Sequence, residues 1–225
     1  MMKKKLSIII LLLSVPIVII LGFTIFADRS YAYLSLIITL ISIIALLLSF
    51  ERKETTSRRL IIISVMCVLS IVGRLIFGVI PGFKPVTAIV IILALHFGSE
   101  AGFICGSMTA LISNFYFGQG PWTPYQMLAW GMIGLFAGLL SNILKKHIFL
   151  ICTYGAFAGI VFSLIMDIQT LTWYSNSLNI GLYLTKVTTS LPFTVIYAVS
   201  NVIFLLLLSK PIGRKIDRLK TKYGV

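Results

Sequence analysis

GSEAGFICGSMTALISNFYFGQGPWTPYQMLAWGMIGLFAGLLSN, residues 98–142, is the stretch on which the fold depends. Two apolar helical runs in it flank a short uncharged loop, GQGPWTP, at 118–124. Two prolines restrict the backbone of this loop and a tryptophan gives it a large contact surface. Thr123 followed by Pro124 predicts the N-cap and first-turn proline of the next helix. We therefore expect two packed helices joined by a rigid loop suited to binding.

Small residues repeat every four positions ahead of the loop, at Gly98, Gly102, Gly106 and Ala110. This spacing puts them on one helix face and allows a neighbouring backbone to come close. The helix after the loop has three more glycines at similar spacing, Gly131, Gly134 and Gly138. Such faces favour either close packing within the chain or contact with a partner protein, and the sequence leaves both readings open.

The composition is that of an integral membrane protein. Of the 225 residues, 59% are hydrophobic and 11% are charged, and the mean hydropathy is +1.06. Soluble domains carry roughly 25% charged residues. The formal charge of +13 does not indicate a nucleic-acid partner, because the basic residues lie between apolar runs. There they suit lipid headgroups and membrane topology.

Eight apolar runs are long enough, or nearly so, to cross a bilayer, which needs about 20 helical residues. They are 6–26, 31–50, 60–80, 85–97, 101–117, 124–144, 147–170 and 182–209. A single helix over 85–117 would span about twice the required thickness, so we expect a tight hairpin at Gly98-Ser99-Glu100, with Glu100 at the membrane interface. The first run follows Lys3-Lys4-Lys5 but exceeds a signal-peptide core and lacks a cleavage site. It is interpreted as a retained transmembrane helix.

The positions of the basic residues predict the orientation. With eight crossings and a cytoplasmic N-terminus, fifteen Lys and Arg residues fall inside and four outside, namely Arg29, Arg74, Lys84 and Lys186. This strong bias follows the positive-inside rule and places both termini in the cytoplasm of a cell whose plasma membrane holds the protein. The charged stretch ERKETTSRR at 51–59 divides the chain. We expect an N-terminal two-helix hairpin with its linker at 1–58 and a six-helix core with a basic tail at 59–225.

Polar and aromatic residues of this core concentrate toward its predicted outer end, which favours one pocket there. The candidate substrate-binding residues are Arg74, Lys84, Asn114, Gln119, Trp122, Thr123, Tyr125, Gln126, Asp167, Trp173 and Lys186. Charges within a membrane are costly unless they are paired or hydrated, so they indicate function. The alternatives are that Asp167 pairs with Arg74 or Lys186 to join helices, that Lys186 reaches the headgroups, and that the aromatic residues form an interfacial belt.

Known catalytic motifs are missing from the sequence. It contains no HExxH, no nucleophile elbow and no phosphate-binding Gly-Lys-Ser/Thr loop. The cysteines, Cys67, Cys105 and Cys152, lie in apolar runs without metal-ligand spacing. Six acidic residues leave little for acid–base catalysis or for ion coupling. We expect a non-enzyme without metal or cofactor. A lipid-modifying membrane enzyme, an assembly factor and a self-sufficient carrier remain alternatives.

The core from about 59 to 210 resembles the substrate-binding S components of energy-coupling factor (ECF) vitamin transporters. The resemblance rests on SxxCxxSIVGR at 64–74, Lys84-Pro85, the glycine ladder, Ser113-Asn114 and the loop GQGPWTPxQM at 118–127. It is closest to the cobalamin-type branch. The small contact motif of the family is only partly met at Ser64 and Val68, and the N-terminal hairpin has no counterpart in the common six-helix core.

The resemblance implies a binding subunit that takes a vitamin or precursor from outside, with cobalamin or a related corrinoid preferred over riboflavin, folate or queuosine. It implies association with a membrane T component and two cytoplasmic ATPases. The implied contact with the T component uses small residues on the first core helix, and the glycine ladder is the other candidate surface for a partner. The positions that match are Ser64, Cys67, Ser70, Gly98, Gly102 and Gly106.

Overall fold

The computed structural model describes residues 8–14, 16–17, 36–37, 40–41, 44, 57–175 and 179–223, with only the backbone given for 173–175. Within these ranges the chain is helical and contains no strand. The expected N-terminal hairpin and linker lie almost entirely outside the described residues. The fold discussed below is therefore that of the core.

Seven α-helices make up the core in 57–175 and 179–223. They are α1 (Ser57–Ile76), α2 (Val86–Phe97), α3 (Ser99–Phe117), α4 (Trp122–Leu139), the single turn α5 (Ser141–Leu144), α6 (Ile148–Ser175) and α7 (Ile180–Tyr223). A 3₁₀ turn, Phe77–Val79, continues α1. The short helix α2 is the centre of the bundle, since every one of its residues except His96 is buried.

Three segments of the described chain are long and apolar enough to cross a membrane: Ser57–Val79, Ile148–Thr172 and Ile180–Tyr223. The core is thus all-α and has the helices expected of a membrane protein. Two predicted boundaries were wrong. The run 124–144 is divided between α4 and α5. The run 182–209 and the basic tail form one helix of 44 residues, about 66 Å long, because lysine and arginine continue a helix as well as leucine does.

The predicted hairpin between α2 and α3 is confirmed. Gly98 has a φ of +96°, a conformation that favours glycine, and a Cβ built on Gly102 would lie 2.5 Å from Cβ of Ala94. Glu100 is only 4% exposed within the protein, and its expected place at the membrane interface stays a prediction. It lies in the first turn of α3, where the helix dipole favours a negative charge, and it interacts electrostatically with Arg59 of α1.

The glycine ladder brings α3 and α4 into backbone contact. A Cβ built on Gly106 would lie 2.3 Å from the carbonyl oxygen of Trp130, and one on Gly134 would lie 2.3 Å from that of Gly102. Real Cβ atoms do not approach a backbone so closely. Ser107 adds a hydrogen bond by donating to the carbonyl of Met127, at 3.1 Å. Close packing within the chain is therefore confirmed as a role of these small residues.

The C-terminal end of α7 folds against the end of the bundle at which α2 and α3 meet. His96 Nε2 lies 3.5 Å from Oδ1 of Asp217, and the Lys220 ammonium lies 4.7 Å from the ring centroid of Phe97. Arg59 donates to the carbonyl of Phe97 at 2.8 Å. These contacts anchor the basic tail and leave the opposite end of the bundle, where α1, α3 and α6 end, to the polar residues described next.

Candidate functional site

Arg74 is the centre of a buried hydrogen-bond network. It lies in the last turn of α1 and is 4% exposed. Its guanidinium donates to the hydroxyl of Ser113, to Oδ1 of Asn114 at 3.0 Å and to Oε1 of Gln126 at 3.2 Å. Nε of Arg74 is buried and has no hydrogen-bond partner among the described residues. All the partners are neutral, so the network positions the guanidinium without cancelling its charge.

The same network holds the loop between α3 and α4. The Asn114 amide donates to Thr123 at 2.9 Å and to Gln126 at 3.0 Å. The Thr123 hydroxyl donates to Oε1 of Gln119 at 2.9 Å and accepts from the N–H of Gly120 at 3.3 Å. The predicted N-cap at Thr123 was wrong: α4 begins at Trp122 with Pro121 at its N-cap. The Thr123 side chain is instead occupied with the loop that precedes the helix.

Two aromatic rings cover the guanidinium. The Cζ atom of Arg74 lies 4.9 Å from the ring centroid of Trp130 and 5.0 Å from that of Phe117, distances at which a cation is attracted to the ring face. The same Phe117 ring lies 5.5 Å from Nζ of Lys84. A single phenyl ring therefore contacts both basic residues.

Lys84 is held in place through its backbone. Its N–H donates to Oγ of Ser200 at 2.9 Å, and that hydroxyl donates back to the Lys84 carbonyl at 3.3 Å. Ser200 lies on α7 and is fully buried. Burial, followed by the nearby positive charge of Arg74, lowers the pKa of Lys84 to about 8. The ammonium is thus in an environment that disfavours its own charge.

A small cavity lies between Lys84 and the centre of the bundle. Its volume is about 20 Å³, and its polar lining comes from Lys84, Thr87, Tyr197 and Asn201. Such a volume holds about one water molecule, whereas pockets for small organic ligands measure roughly 300–1,000 Å³. The cavity as it stands is therefore too small for a small organic ligand.

Comparison of the chain with known protein families, curated proteins and solved structures found no match. Any functional interpretation therefore depends on the residues and their geometry.

Asp167 belongs to a second polar group, on α6 and α7. It is 4% exposed and accepts a hydrogen bond of 2.6 Å from the hydroxyl of Ser190. Lys186 acts on it electrostatically, yet no ion pair in the described part of the chain joins Asp167 to Lys186 or to Arg74. The alternative of a direct ion pair between helices was wrong. Tyr197 is the link between the two groups, since it interacts electrostatically with both Asp167 and Arg74.

The predicted aromatic residues make different contacts. Trp122 is 37% exposed and donates from its indole to the carbonyl of Gly118 at 3.2 Å, so it covers its own loop and does not contact Arg74. The Tyr125 hydroxyl lies 3.4 Å from that of Thr172, which ties the start of α4 to α6. The side chain of Trp173 lies outside the described residues.

The residues expected to contact a T component are mostly internal. Cys67 and Ser70 are buried, as are Gly102 and Gly106, which pack within the chain. Ser64 is exposed, on a face of α1 with the exposed apolar residues Leu60, Ile61, Val65 and Val68. In this conformation, Ser64 and that apolar face are the part of the expected contact that a partner can reach.

Three residues at the site were not among the candidate substrate-binding residues: Ser113, which the sequence analysis named only for the resemblance, Phe117 and Trp130. Ser113 and Phe117 lie within three residues of Asn114, and Trp130 lies four residues after Gln126. Helical spacing places Trp130 on the face that carries Gln126. That spacing was the available signal, but buried aromatic residues at such intervals are also common in helix cores.

The lowered pKa of Lys84 predicts that the stability of the protein depends on pH. The unfolded chain keeps the ordinary lysine pKa of 10.5, so between about pH 8 and 10.5 it binds more protons than the folded chain. Stability should therefore rise with pH through this window, by on the order of 3 kcal/mol or less. Melting temperatures of the wild type and of Lys84→Gln, compared from about pH 7 to about pH 10, isolate this contribution. A difference between the two proteins that stays constant with pH would contradict it.

Proposed function

We propose that this chain is the substrate-binding S component of an ECF-type importer in the plasma membrane. In this proposal it crosses the membrane eight times, has both termini in the cytoplasm and presents the Arg74 network toward the outside. The observation that carries the proposal is the buried network itself: an arginine with neutral amide and hydroxyl partners at one end of an apolar bundle. Buried charge in a membrane protein is costly and marks a solute pathway or binding site.

The partners follow from the resemblance. A T component would contact the exposed apolar face of α1 around Ser64, and two cytoplasmic ATPases would supply the energy. The preferred solute is cobalamin or a related corrinoid, with riboflavin, folate and queuosine as alternatives. Because the present cavity holds about one water molecule, binding of any of these solutes is coupled to opening of the loops over the site.

Uptake should depend on the ATPases. Cells that express this chain together with a T component and ATPases should accumulate a labelled solute from the panel, and cells with an ATPase inactivated in its nucleotide site should not. The purified chain should be stabilised against heat by that same solute. Uptake by the chain alone would favour a self-sufficient carrier. Turnover of a lipid by the purified chain would favour a membrane enzyme, and either result would overturn the proposal.

A further inference from the structure

Two basic side chains share one phenyl ring at the site. Arg74 and Lys84 come from different segments, α1 and the loop after it, and both lie against Phe117. No ion pair reaches either of them in the described part of the chain. Neighbouring positive charges repel each other in an apolar setting, so this arrangement raises the energy of the unliganded protein unless something negative joins it.

The fold maintains this arrangement at several points. Ser200 fixes the backbone of Lys84, and Ser113, Asn114 and Gln126 fix the guanidinium of Arg74. The amide oxygens of Asn114 and Gln126 face the arginine, while Nε of the arginine stays buried without a partner. Two positive groups are thus positioned in advance, and Arg74 keeps one donor that no described residue uses.

Phe117 is placed as a cover. It is the last residue of α3, it is 36% exposed, and a Cβ built on Gly78 would lie 2.8 Å from its ring. The ring therefore packs against the turn that follows α1. Gly118, the next residue, has a φ of +95° and open space around it. Phe117 therefore lies at the end of a helix, against both basic groups.

We propose that Arg74 and Lys84 form a subsite for an oxyanion, a phosphate or carboxylate group of the transported solute, which displaces the ring of Phe117. This inference rests on the proposed function and adds the chemistry of the solute to it. Charge-assisted hydrogen bonds from both basic residues would hold the group, in a setting where they are stronger than in water. The phosphate of a lipid headgroup offers the same chemistry from another source.

The test is a thermal-shift titration of the full-length chain in detergent. The probes are inorganic phosphate, acetate and a short-chain phosphatidylglycerol, each against sodium chloride of equal ionic strength. Phosphate or acetate should give saturable stabilisation, weakened about tenfold in Lys84→Gln by the loss of one charged hydrogen bond. Lys84→Arg should retain it. The matched control is Lys210→Gln, which removes an exposed charge on the tail of α7 and should leave the titration unchanged.

The variant Phe117→Ala tests whether the phenyl ring blocks the anion site or contributes to anion binding. If the ring is a cover, the anion no longer competes with two cation–π contacts, and its affinity should rise severalfold. A weaker affinity would overturn the cover. Sulfate keeps a constant charge near neutral pH, so it reports the charge of the protein. It should bind the wild type less well above about pH 8, where Lys84 loses its charge. In Lys84→Arg its affinity should not fall over this range. The other groups that face Lys84 are Arg74 and Tyr197.

The outcomes separate this inference from the proposed function. Stabilisation by chloride alone, or equal titrations for wild type and Lys84→Gln, would overturn the subsite even if a vitamin binds and is transported. An anion response that depends on Lys84, with no response to the vitamin panel, would retain the subsite and reject that solute class. A response to phosphatidylglycerol alone would assign the subsite to a lipid headgroup and reject its role in solute binding.

Discussion

Gly106→Ala should lower the melting temperature of the purified protein on the order of 10 °C, since overpacking costs about 3 kcal/mol and a chain of this size loses a few degrees per kcal/mol. The new methyl group would lie 2.3 Å from the carbonyl oxygen of Trp130 and 2.7 Å from the N–H nitrogen of Gly131. Backbone atoms cannot rotate away as a side chain can. Helices α3 and α4 would have to separate.

The effect should extend to the binding site. Trp130 carries the indole that lies 4.9 Å from Cζ of Arg74, and it is the backbone of this residue that must shift. Melting curves and size-exclusion profiles in detergent measure the loss of stability. The matched control is Gly213→Ala, whose methyl group would meet only the ring of His96 at an ordinary 3.4 Å. A melting temperature of Gly106→Ala within about 2 °C of the wild type would show that α3 and α4 are not in backbone contact.

The close approach of α3 and α4 was predictable because glycine spacing is a local property of the sequence. The spacing of the glycines predicts a helix surface without side chains, at Gly102, Gly106 and Gly134. The break at Gly98 follows from the length of the apolar run around it. Neither prediction needs knowledge of which residues from distant segments meet. For this reason the packing of the hairpin agrees with the sequence analysis.

What the sequence did not show depends on contacts between distant segments. Glu100 is buried because Arg59, about forty residues earlier, interacts with it. Phe117 belongs to the site only because α1 and the loop after it bring Arg74 and Lys84 to the same ring. Helix α7 continues through Pro192 and Pro211, and no local signal distinguishes that outcome from a helix ending near 209. Periodicity describes faces of single helices, whereas these features arise between helices.

Only the structure showed that the polar residues around Arg74 and those around Asp167 form two separate groups. The sequence placed Arg74 and Asp167 in one pocket and left open that they form a pair. In the structure, Arg74 donates hydrogen bonds to side chains of α3 and α4, such as Asn114, whereas Asp167 accepts one from Ser190 of α7. Both charges are buried, and no ion pair joins them in the described part of the chain, so something other than their mutual attraction determines where they lie. For Arg74 we attribute this to the solute.

Arg74→Gln should weaken binding of the solute that stabilises the wild type by at least about 30-fold, since loss of a buried charged partner costs about 2–5 kcal/mol. The unliganded protein should melt within a few degrees of the wild type. Glutamine removes a buried charge that has no acidic partner among the described residues, and it keeps a polar group near Asn114 and Gln126. A purely structural arginine would give the reverse pattern, with lower stability and unchanged affinity.

The measurement is a thermal-shift or calorimetric titration, together with uptake in cells that express the full complex. Arg58→Gln serves as the control, because Arg58 is an exposed charge at the opposite end of α1 and its loss should change neither affinity nor uptake. Arg74→Lys should restore little, because an ammonium cannot reproduce the fork of donors that reaches Ser113, Asn114 and Gln126 at once. Full affinity in Arg74→Gln would show that the arginine does not bind the solute. The proposed function would then lose the observation on which it depends.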